Sequence, residues 1–223
     1  MASEIQRTET RQGMGKSETA IGNWRHTWPA WLLLGLILVV VFSNLWQLGR
    51  QALIGGTDGA GTIAAFFAPS VQEWGAELYA WSREYELPVN LLATVMQLES
   101  CGRVDAISPA GALGLFQVMP FHFVAGEEPL MPATNALRSA AFLQECRGYA
   151  EGDITLTLAC YNGGPGVTVR PFSRWPRETQ VYARWGAAIY TDAQRGRSRS
   201  NALADWWDAG GSRLCAQAVA AHS

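Results

Sequence analysis

Apolar residues recur three and four positions apart along most of the chain after residue 70, which is the spacing of an amphipathic helix. Residues 88–99 show it most clearly: Leu92, Val95 and Met96 share one face, and Glu99 falls next on that same face. No segment alternates apolar and polar residues as a half-buried strand does. The pattern therefore predicts a mostly α domain in which one carboxylate lies on a buried helix face.

Four other segments show the same spacing and are predicted to be helices. They cover residues 70–86, 132–149, 154–161 and 178–190, and a short pair of helices is expected in 201–223. Ser70 is expected to cap the first of these helices, and Thr134 or Asn135 the second. The inward face of the helix at 132–149 is expected to contain Ala136, Leu137, Ala140, Ala141 and Leu143.

One uncharged segment near the N-terminus is long enough to span a bilayer. Residues 27–49 carry no charge, and Trp28, Trp31 and Trp46 stand near the ends of the apolar run. Because about 20 helical residues cross the hydrocarbon core and Trp favours its interfaces, residues 28–48 are predicted to be a transmembrane signal anchor. A buried core helix and a cleaved signal peptide are the alternatives, but the run has almost no polar face and no small-x-small site follows it.

Basic residues set the predicted orientation of this anchor. Arg7, Arg11, Lys16 and Arg25 precede it, whereas Arg50 alone follows closely. The positive-inside rule therefore favours a cytoplasmic N-terminus, with the rest of the chain on the periplasmic or extracellular side of the membrane.

The chain is thus predicted to have five parts. These are a cytoplasmic tail at 1–27, the anchor at 28–48, a glycine-rich flexible linker at 49–69, a helical domain at 70–190 and a C-terminal extension at 191–223 that packs on the domain. The apolar stretch at 64–68, where the linker ends, is expected to rest on the bilayer or on the domain itself.

Composition and cysteine placement narrow the class of function. Hydrophobic residues make up 48% of the chain, which indicates a packed core, and a net charge of −2 gives no basis for nucleic-acid binding. All cysteines follow the anchor, so one or two disulfides are expected among Cys101, Cys146, Cys160 and Cys215, with three pairings open. Because no Cys-x-x-Cys pair exists and His122 is the only histidine nearby, neither a metal nor another cofactor is expected.

Glu99 opens the most informative stretch of the sequence. Ser100 follows it directly, and a glycine-rich turn at 108–117 contains Gly111 and Gly114. Because burial makes ionisation of a carboxyl group unfavourable, Glu99 is expected to have a raised pKa and to act as a general acid. The alternative is a helix-terminal glutamate that pairs with an arginine or turns to solvent.

Three further blocks follow the Glu-Ser pair in order. They read Ser-Pro-Ala-Gly-Ala-Leu-Gly-Leu-Phe-Gln from Ser108, Ala-Cys-Tyr-Asn-Gly-Gly from Ala159 and Glu-Thr-Gln-Val-Tyr from Glu178. Together the four blocks resemble the lytic transglycosylase family, specifically its soluble-lytic-transglycosylase-like catalytic domain, over residues 71–190. Cys101 and Cys160 depart from the usual pattern, but neither replaces a polar group that the chemistry uses.

The resemblance implies a lysozyme-like α-helical domain with a two-lobed substrate groove. Family members cleave the bond between N-acetylmuramic acid (MurNAc) and N-acetylglucosamine (GlcNAc) in peptidoglycan with one glutamate. Glu99 stands at that position, where it would act first as acid and then as base and leave a 1,6-anhydro end. The resemblance also assigns substrate contacts to Ser108, Gln117, Met119, Tyr161, Asn162 and Tyr182, supported by Ser100 and Glu178.

Peptidoglycan strands and the membrane are therefore the expected partners, and further envelope proteins are compatible with an anchored domain. A hydrolytic muramidase on the same fold is one alternative function, and a non-catalytic peptidoglycan-binding scaffold is another. A papain-like peptidase built on Cys101 and His122 is a third.

Overall fold

The computed structural model describes Val39 and residues 62–222. This part of the chain contains helices and turns and no strand, apart from two isolated antiparallel bridges that Leu113 makes with Ile107 and Val118. The predicted mostly α class is thereby confirmed for the described residues. None of their helices is both long and apolar enough to span a bilayer. The predicted anchor at 28–48 lies outside them, except for Val39.

Eight α-helices follow one another in the described chain. They are α1 (Pro69–Gln72), α2 (Gly75–Glu84), α3 (Val89–Glu99), α4 (Pro132–Tyr149), α5 (Ile154–Gly163), α6 (Arg177–Gln194), α7 (Asn201–Trp206) and α8 (Ser212–His222). A π-helical turn, Trp207–Gly211, connects α7 to α8. Three short 3-10 turns occupy Pro120–His122, Pro165–Val167 and Phe172–Arg174.

Helix α3 forms the centre of the domain and is buried on all sides. Every residue from Val89 to Leu98 is buried, because α2 and α6 pack against the helix and the segment before α1 covers the rest. Its two amides bind that segment: Asn90 Oδ1 accepts from Ala64 N at 2.9 Å, and Gln97 Oε1 accepts from Ala68 N at 2.8 Å. The amphipathic pattern thus belongs to a helix buried from Val89 to Leu98, in which the amide oxygens of Asn90 and Gln97 accept hydrogen bonds from backbone groups.

The chain before α1 belongs to the packed domain. Ile63, Phe67 and Ala68 are buried in the core, so the stretch at 64–68 rests on the domain, one of the two expected positions. Helix α1 begins at Pro69, which places Ser70 inside the helix, where its hydroxyl donates to Cys101 O at 2.6 Å. The predicted Ser70 cap is therefore wrong, because a tertiary hydrogen bond takes the hydroxyl.

Helix α4 has the predicted bounds but a different cap and a rotated inner face. It begins directly after Met131 with Pro132 in its first turn, so neither Thr134 nor Asn135 caps it. Leu137 is 39% exposed and Ala141 is exposed, whereas Asn135 and Ser139 are fully buried. These two polar side chains turn inward because each finds hydrogen-bond partners in the core.

Two disulfides join distant parts of the domain. Cys146–Cys160 connects α4 to α5. Cys101–Cys215 connects α8 to the turn that directly follows α3. The prediction of disulfides is confirmed, and the pairing that the sequence left open is settled. Leu203, Trp206, Cys215 and Ala218 lie in the same core as α3, so the end of the C-terminal extension packs on the domain.

Candidate active site

Glu99 is the last residue of α3 and is half-buried. Burial, the largest cause, raises the pKa of its carboxyl, the nearby Tyr182 hydroxyl lowers it and the negative charge of Glu178 raises it. The resulting pKa is about 8. Among the described residues no arginine forms an ion pair with this carboxyl. The structural alternative of an arginine-paired glutamate is thus contradicted, and the side chain holds a proton at neutral pH.

Ser100 joins the end of α3 to the glycine-rich turn. Its buried hydroxyl donates to Leu115 O at 2.6 Å and accepts from Gly102 N at 3.1 Å. The Glu-Ser pair therefore has a simple structural meaning. The glutamate supplies the carboxyl, and the serine ties the backbone beside it to the turn at 113–116.

The glycine-rich turn is held by Asn135, a residue that the sequence suggested only as a helix cap. Its Oδ1 accepts from Phe116 N at 2.9 Å, and its Nδ2 donates to Leu113 O at 2.8 Å and to Pro129 O at 3.0 Å. Gly114 has φ +74°, and a Cβ there would lie 2.6 Å from Asn135 Nδ2. Glycine is thus required because an internal amide, not a ligand, comes close. The sequence signal for this role was the position of an asparagine among the apolar residues of the predicted helix at 132–149.

Ser108 and Gln117 use polar atoms within the turn. Ser108 Oγ accepts from Ala112 N at 3.0 Å, while Gln117 Nε2 donates to Ala106 O at 3.1 Å and to Gly114 O at 2.9 Å. Gln117 also lines a small cavity beside Tyr161. Both residues therefore shape the turn, and their contacts with sugar groups stay predictions.

Tyr161 lies near the Glu99 carboxyl, but its hydroxyl donates to a backbone carbonyl instead. Its buried hydroxyl donates to Phe116 O at 2.8 Å and accepts from Ser139 Oγ at 2.9 Å. Burial raises the pKa of this phenol, and the charge of Glu99 raises it further. Tyr161 thus holds the turn in place beside Glu99 and remains a neutral phenol throughout the neutral pH range.

Tyr182 has its hydroxyl beside the Glu99 carboxyl. This hydroxyl is buried and, in the described part of the chain, has no hydrogen-bond partner of regular geometry, Glu99 included. A phenol proton directed at a carboxylate stabilises the ionised form. The structure therefore places the Tyr182 hydroxyl beside Glu99, and the substrate contact that the resemblance assigns to Tyr182 stays a prediction.

The Tyr-Asn and Glu-Thr blocks meet through one hydrogen bond. Thr179 Oγ1 donates to Asn162 Oδ1 at 2.8 Å and lies against Gly163, where a Cβ would be 2.7 Å from it. Glu178, the neighbouring residue, is exposed in the first turn of α6 and acts on Glu99 through its charge. Asn162 is thereby fixed at the edge of the adjoining cleft.

An open cleft of about 310 Å³ adjoins Tyr161. It is lined by Met119, Phe121, His122, Phe142, Glu145, Tyr161, Asn162, Gly164 and Pro165. Four of these form a row of rings, with centroid separations of 4.5 Å from Phe121 to His122, 4.4 Å from His122 to Phe142 and 5.6 Å from Phe142 to Tyr161. The sequence predictions included Met119, Tyr161 and Asn162 but missed Phe121 and Phe142. The aromatic residues directly after Pro120 were a sequence signal for Phe121, whereas Phe142 had none.

Cys101 and His122 do not form a catalytic pair. Cys101 is fully buried in its disulfide with Cys215 and has no free thiol, so the peptidase alternative is wrong. In residues 62–222 no group of three or more histidine, cysteine or acidic side chains is placed to hold a metal ion. The chemistry that the described site offers is proton transfer at Glu99.

Comparisons with known proteins identify the segment that carries this site. Residues 78–180 match the family described as the Transglycosylase SLT domain. A protein named "Transglycosylase" from Enterobacteria phage PRD1 is 31% identical over 112 residues, which are 49% of this chain and 40% of the phage protein. The chain thus spans less than half the length of that relative.

A solved structure also overlaps this chain. It is an inactive mutant of lytic transglycosylase Slt from Pseudomonas aeruginosa, with 24% identity, a TM-score of 0.45, and coverage of 55% of this chain and 24% of that one. The match of residues 78–180 to the Transglycosylase SLT domain agrees with the family resemblance that the four sequence blocks predicted.

Proposed function

We propose that this protein is a peptidoglycan lytic transglycosylase that cleaves the β-1,4 bond between MurNAc and GlcNAc and leaves a 1,6-anhydroMurNAc end. One observation carries the proposal: Glu99, in a Transglycosylase SLT domain, has a pKa of about 8 and so keeps its proton at pH 7. A carboxylic acid that stays protonated at neutral pH is what proton donation to a glycosidic oxygen requires.

In the first step, Glu99 donates its proton to the glycosidic oxygen as the bond from that oxygen to the MurNAc anomeric carbon breaks. The MurNAc 2-acetamido oxygen assists at the anomeric carbon, which removes the need for a protein nucleophile. In the second step, the Glu99 carboxylate takes the proton from the MurNAc 6-hydroxyl, whose oxygen bonds to the anomeric carbon as the bond from that carbon to the acetamido oxygen breaks. Tyr182 is placed to stabilise that carboxylate between the two steps, and Glu99 ends protonated.

The cleft beside Tyr161 suits a glycan strand. Phe121 is 75% exposed at its rim, and the row of rings to Tyr161 presents apolar faces, while Asn162 and Glu145 supply polar groups. Sugar rings combine apolar C–H faces with equatorial hydroxyls, so such a cleft binds them by ring contact and hydrogen bonding. Continuity from Phe121 to Tyr161 leads the strand toward Glu99.

Product masses after digestion of purified peptidoglycan test the proposed reaction. We expect muropeptides lighter by one water than hydrolysis products, because the 6-hydroxyl replaces water as the nucleophile. Full-mass reducing ends would instead show a hydrolytic muramidase. Bound but uncleaved peptidoglycan would show a non-catalytic scaffold.

The pH dependence of cleavage tests the role of the Glu99 proton. Because the acid must be protonated, kcat/KM is expected to fall as pH rises through about 8. Tyr182→Phe removes the hydroxyl that lowers this pKa, so the alkaline limb is expected to move to higher pH. Tyr79→Phe, at a partly exposed position on α2, is the matched control and should leave the limb unchanged. A limb that moves to lower pH in Tyr182→Phe would contradict the assignment.

The same proposal places the enzyme on the membrane, with a cytoplasmic N-terminus and the domain on the wall-facing side. The uncharged run at 27–49, the basic residues before it and the two disulfides after it support this location. Sedimentation of the full chain with membranes, and its release when residues 1–49 are deleted, checks the anchor. A full chain that stays in the supernatant would overturn it.

A further inference from the structure

Cys101 lies two residues after Glu99, and its N–H, its carbonyl oxygen and its sulfur each have a partner. Its N–H donates to Met96 O at 2.9 Å, its carbonyl oxygen accepts from Ser70 Oγ at 2.6 Å, and its sulfur is bonded to Cys215. Cys101 has φ +53°, a left-handed conformation in which glycine usually ends a helix. Cysteine stands here in place of the usual glycine, and its side chain forms the disulfide with Cys215.

Gln97 holds the disulfide from within the catalytic helix. It lies one turn before Cys101 and is fully buried. Its Nε2 donates to the Cys101 sulfur at 3.2 Å and to the Cys215 sulfur at 3.3 Å, and its Oε1 accepts from Ala68 N at 2.8 Å. One amide thus connects the last turn of α3, the segment before α1 and the helix α8.

Two of the three connected parts lie outside the residues that match the family. Ala68 and Ser70 precede residue 78, and Cys215 follows residue 180. Cys215 is 4% exposed on α8, whose described residues also bury Ala218 against the core. The last turn of α3 is therefore clamped by chain segments that flank the matched region on both sides.

We propose that Gln97 and the Cys101–Cys215 disulfide are positioning groups for Glu99, which makes α8 a working part of the active site. The physical reason is helix fraying: Ser100 N and Cys101 N share Met96 O as their acceptor, so release of Cys101 loosens the turn that carries Glu99. Water then reaches the carboxyl, and its contact with Tyr182 is lost. The inference rests on the proposed function, since catalysis is one of its readouts.

The test compares two disulfide deletions in the full-length chain. Cys101→Ala/Cys215→Ala removes the clamp, and Cys146→Ala/Cys160→Ala is the matched control because it removes the other disulfide of the same domain. We expect the first variant to lose about tenfold in kcat with KM within about twofold, because the acid is misplaced while the cleft is intact. The control should keep kcat within about twofold even where its melting temperature falls.

A direct titration separates this proposal from the proposed function. The Glu99 carboxyl is followed by ¹³C NMR, its signal assigned by its absence in Glu99→Gln. Since Tyr182, Tyr161 and Glu178 are the titratable groups facing Glu99, and none is altered, a shift reports hydration and placement of the carboxyl. We expect the midpoint to lie roughly one pH unit lower in the clamp variant than in wild type and to be unchanged in the control.

Gln97→Leu provides a second variant that keeps both disulfides. It removes the amide that holds the sulfurs, and we expect the Glu99 midpoint and kcat to move in the same direction as in the clamp variant. Unchanged kcat and midpoint in the folded clamp and Gln97 variants would overturn the proposal and leave the disulfide a stabilising crosslink. A wild type that cleaves no peptidoglycan would instead overturn the proposed function, while the titration would still decide the positioning role.

Discussion

Replacing Glu99 with glutamine is expected to lower the rate of peptidoglycan cleavage by about a thousandfold, the usual contribution of a positioned general acid. The amide has the shape of the carboxylic acid but gives up no proton at neutral pH and cannot accept one from the 6-hydroxyl. Binding is expected to persist, because the cleft lined by Phe121 and Tyr161 is unaltered. Single-turnover cleavage assays and sedimentation with insoluble peptidoglycan measure the two effects.

Glu178→Gln is the matched control for that substitution. Glu178 is exposed and raises the pKa of Glu99 only through its charge, so the control is expected to lower the alkaline limb slightly and to keep most of the rate. If Glu99→Gln cleaved as fast as wild type, Glu99 would not be the acid.

Asn135→Ala is expected to destabilise the domain by about 3 kcal/mol, because it leaves the buried Phe116 N–H without its partner and removes one donor each from the partly buried Leu113 and Pro129 carbonyls. The lost hydrogen bonds join Asn135 to Phe116 N, Leu113 O and Pro129 O. Since Ser100 binds Leu115 in the same turn, loosening the turn also disturbs the backbone beside Glu99. Urea unfolding followed by tryptophan fluorescence measures the change in unfolding free energy.

Asn201→Ala is the control for the loss of an asparagine at the start of a helix. Asn201 is exposed at the beginning of α7, so its substitution is expected to change the unfolding free energy by less than about 0.5 kcal/mol. Equal effects of the two substitutions would show that the Asn135 hydrogen bonds contribute little. The turn would then be held by Ser100, Tyr161 and its own internal hydrogen bonds.

Several elements of the domain were predictable because they depend on neighbours in sequence. The bounds of α4 agree with the prediction, and α3 ends at Glu99 as the apolar spacing indicated. The order of the Glu-Ser, glycine-turn, Tyr-Asn and Glu-Thr blocks was sufficient to indicate the Transglycosylase SLT family. Apolar spacing, capping and block order are local properties, so a single sequence displays them.

Other features depend on groups that are far apart in sequence. The caps predicted at Ser70 and at Thr134 or Asn135 were wrong, because Ser70 binds Cys101 and Asn135 binds the turn at 113–116. The hydroxyl of Tyr161 binds Phe116 and that of Tyr182 faces Glu99, a division of roles that their motifs do not reveal. Local and tertiary hydrogen-bond partners compete for the same polar side chain, and the tertiary partners come within reach only when the chain is folded.

The sequence by itself determined the helical class, the presence of a buried-face carboxyl at Glu99 and the resemblance of residues 78–180 to the Transglycosylase SLT domain, since each follows from residue spacing and order. Tertiary structure alone decided the pairing of Cys101 with Cys215, the burial that raises the pKa of Glu99 to about 8 and the approach of Tyr182 to it. Desolvation and hydrogen bonding depend on which groups surround a side chain in space. For Glu99 those groups include Tyr182 and Glu178 of α6 and Tyr161 of α5, which approach it only in the folded domain.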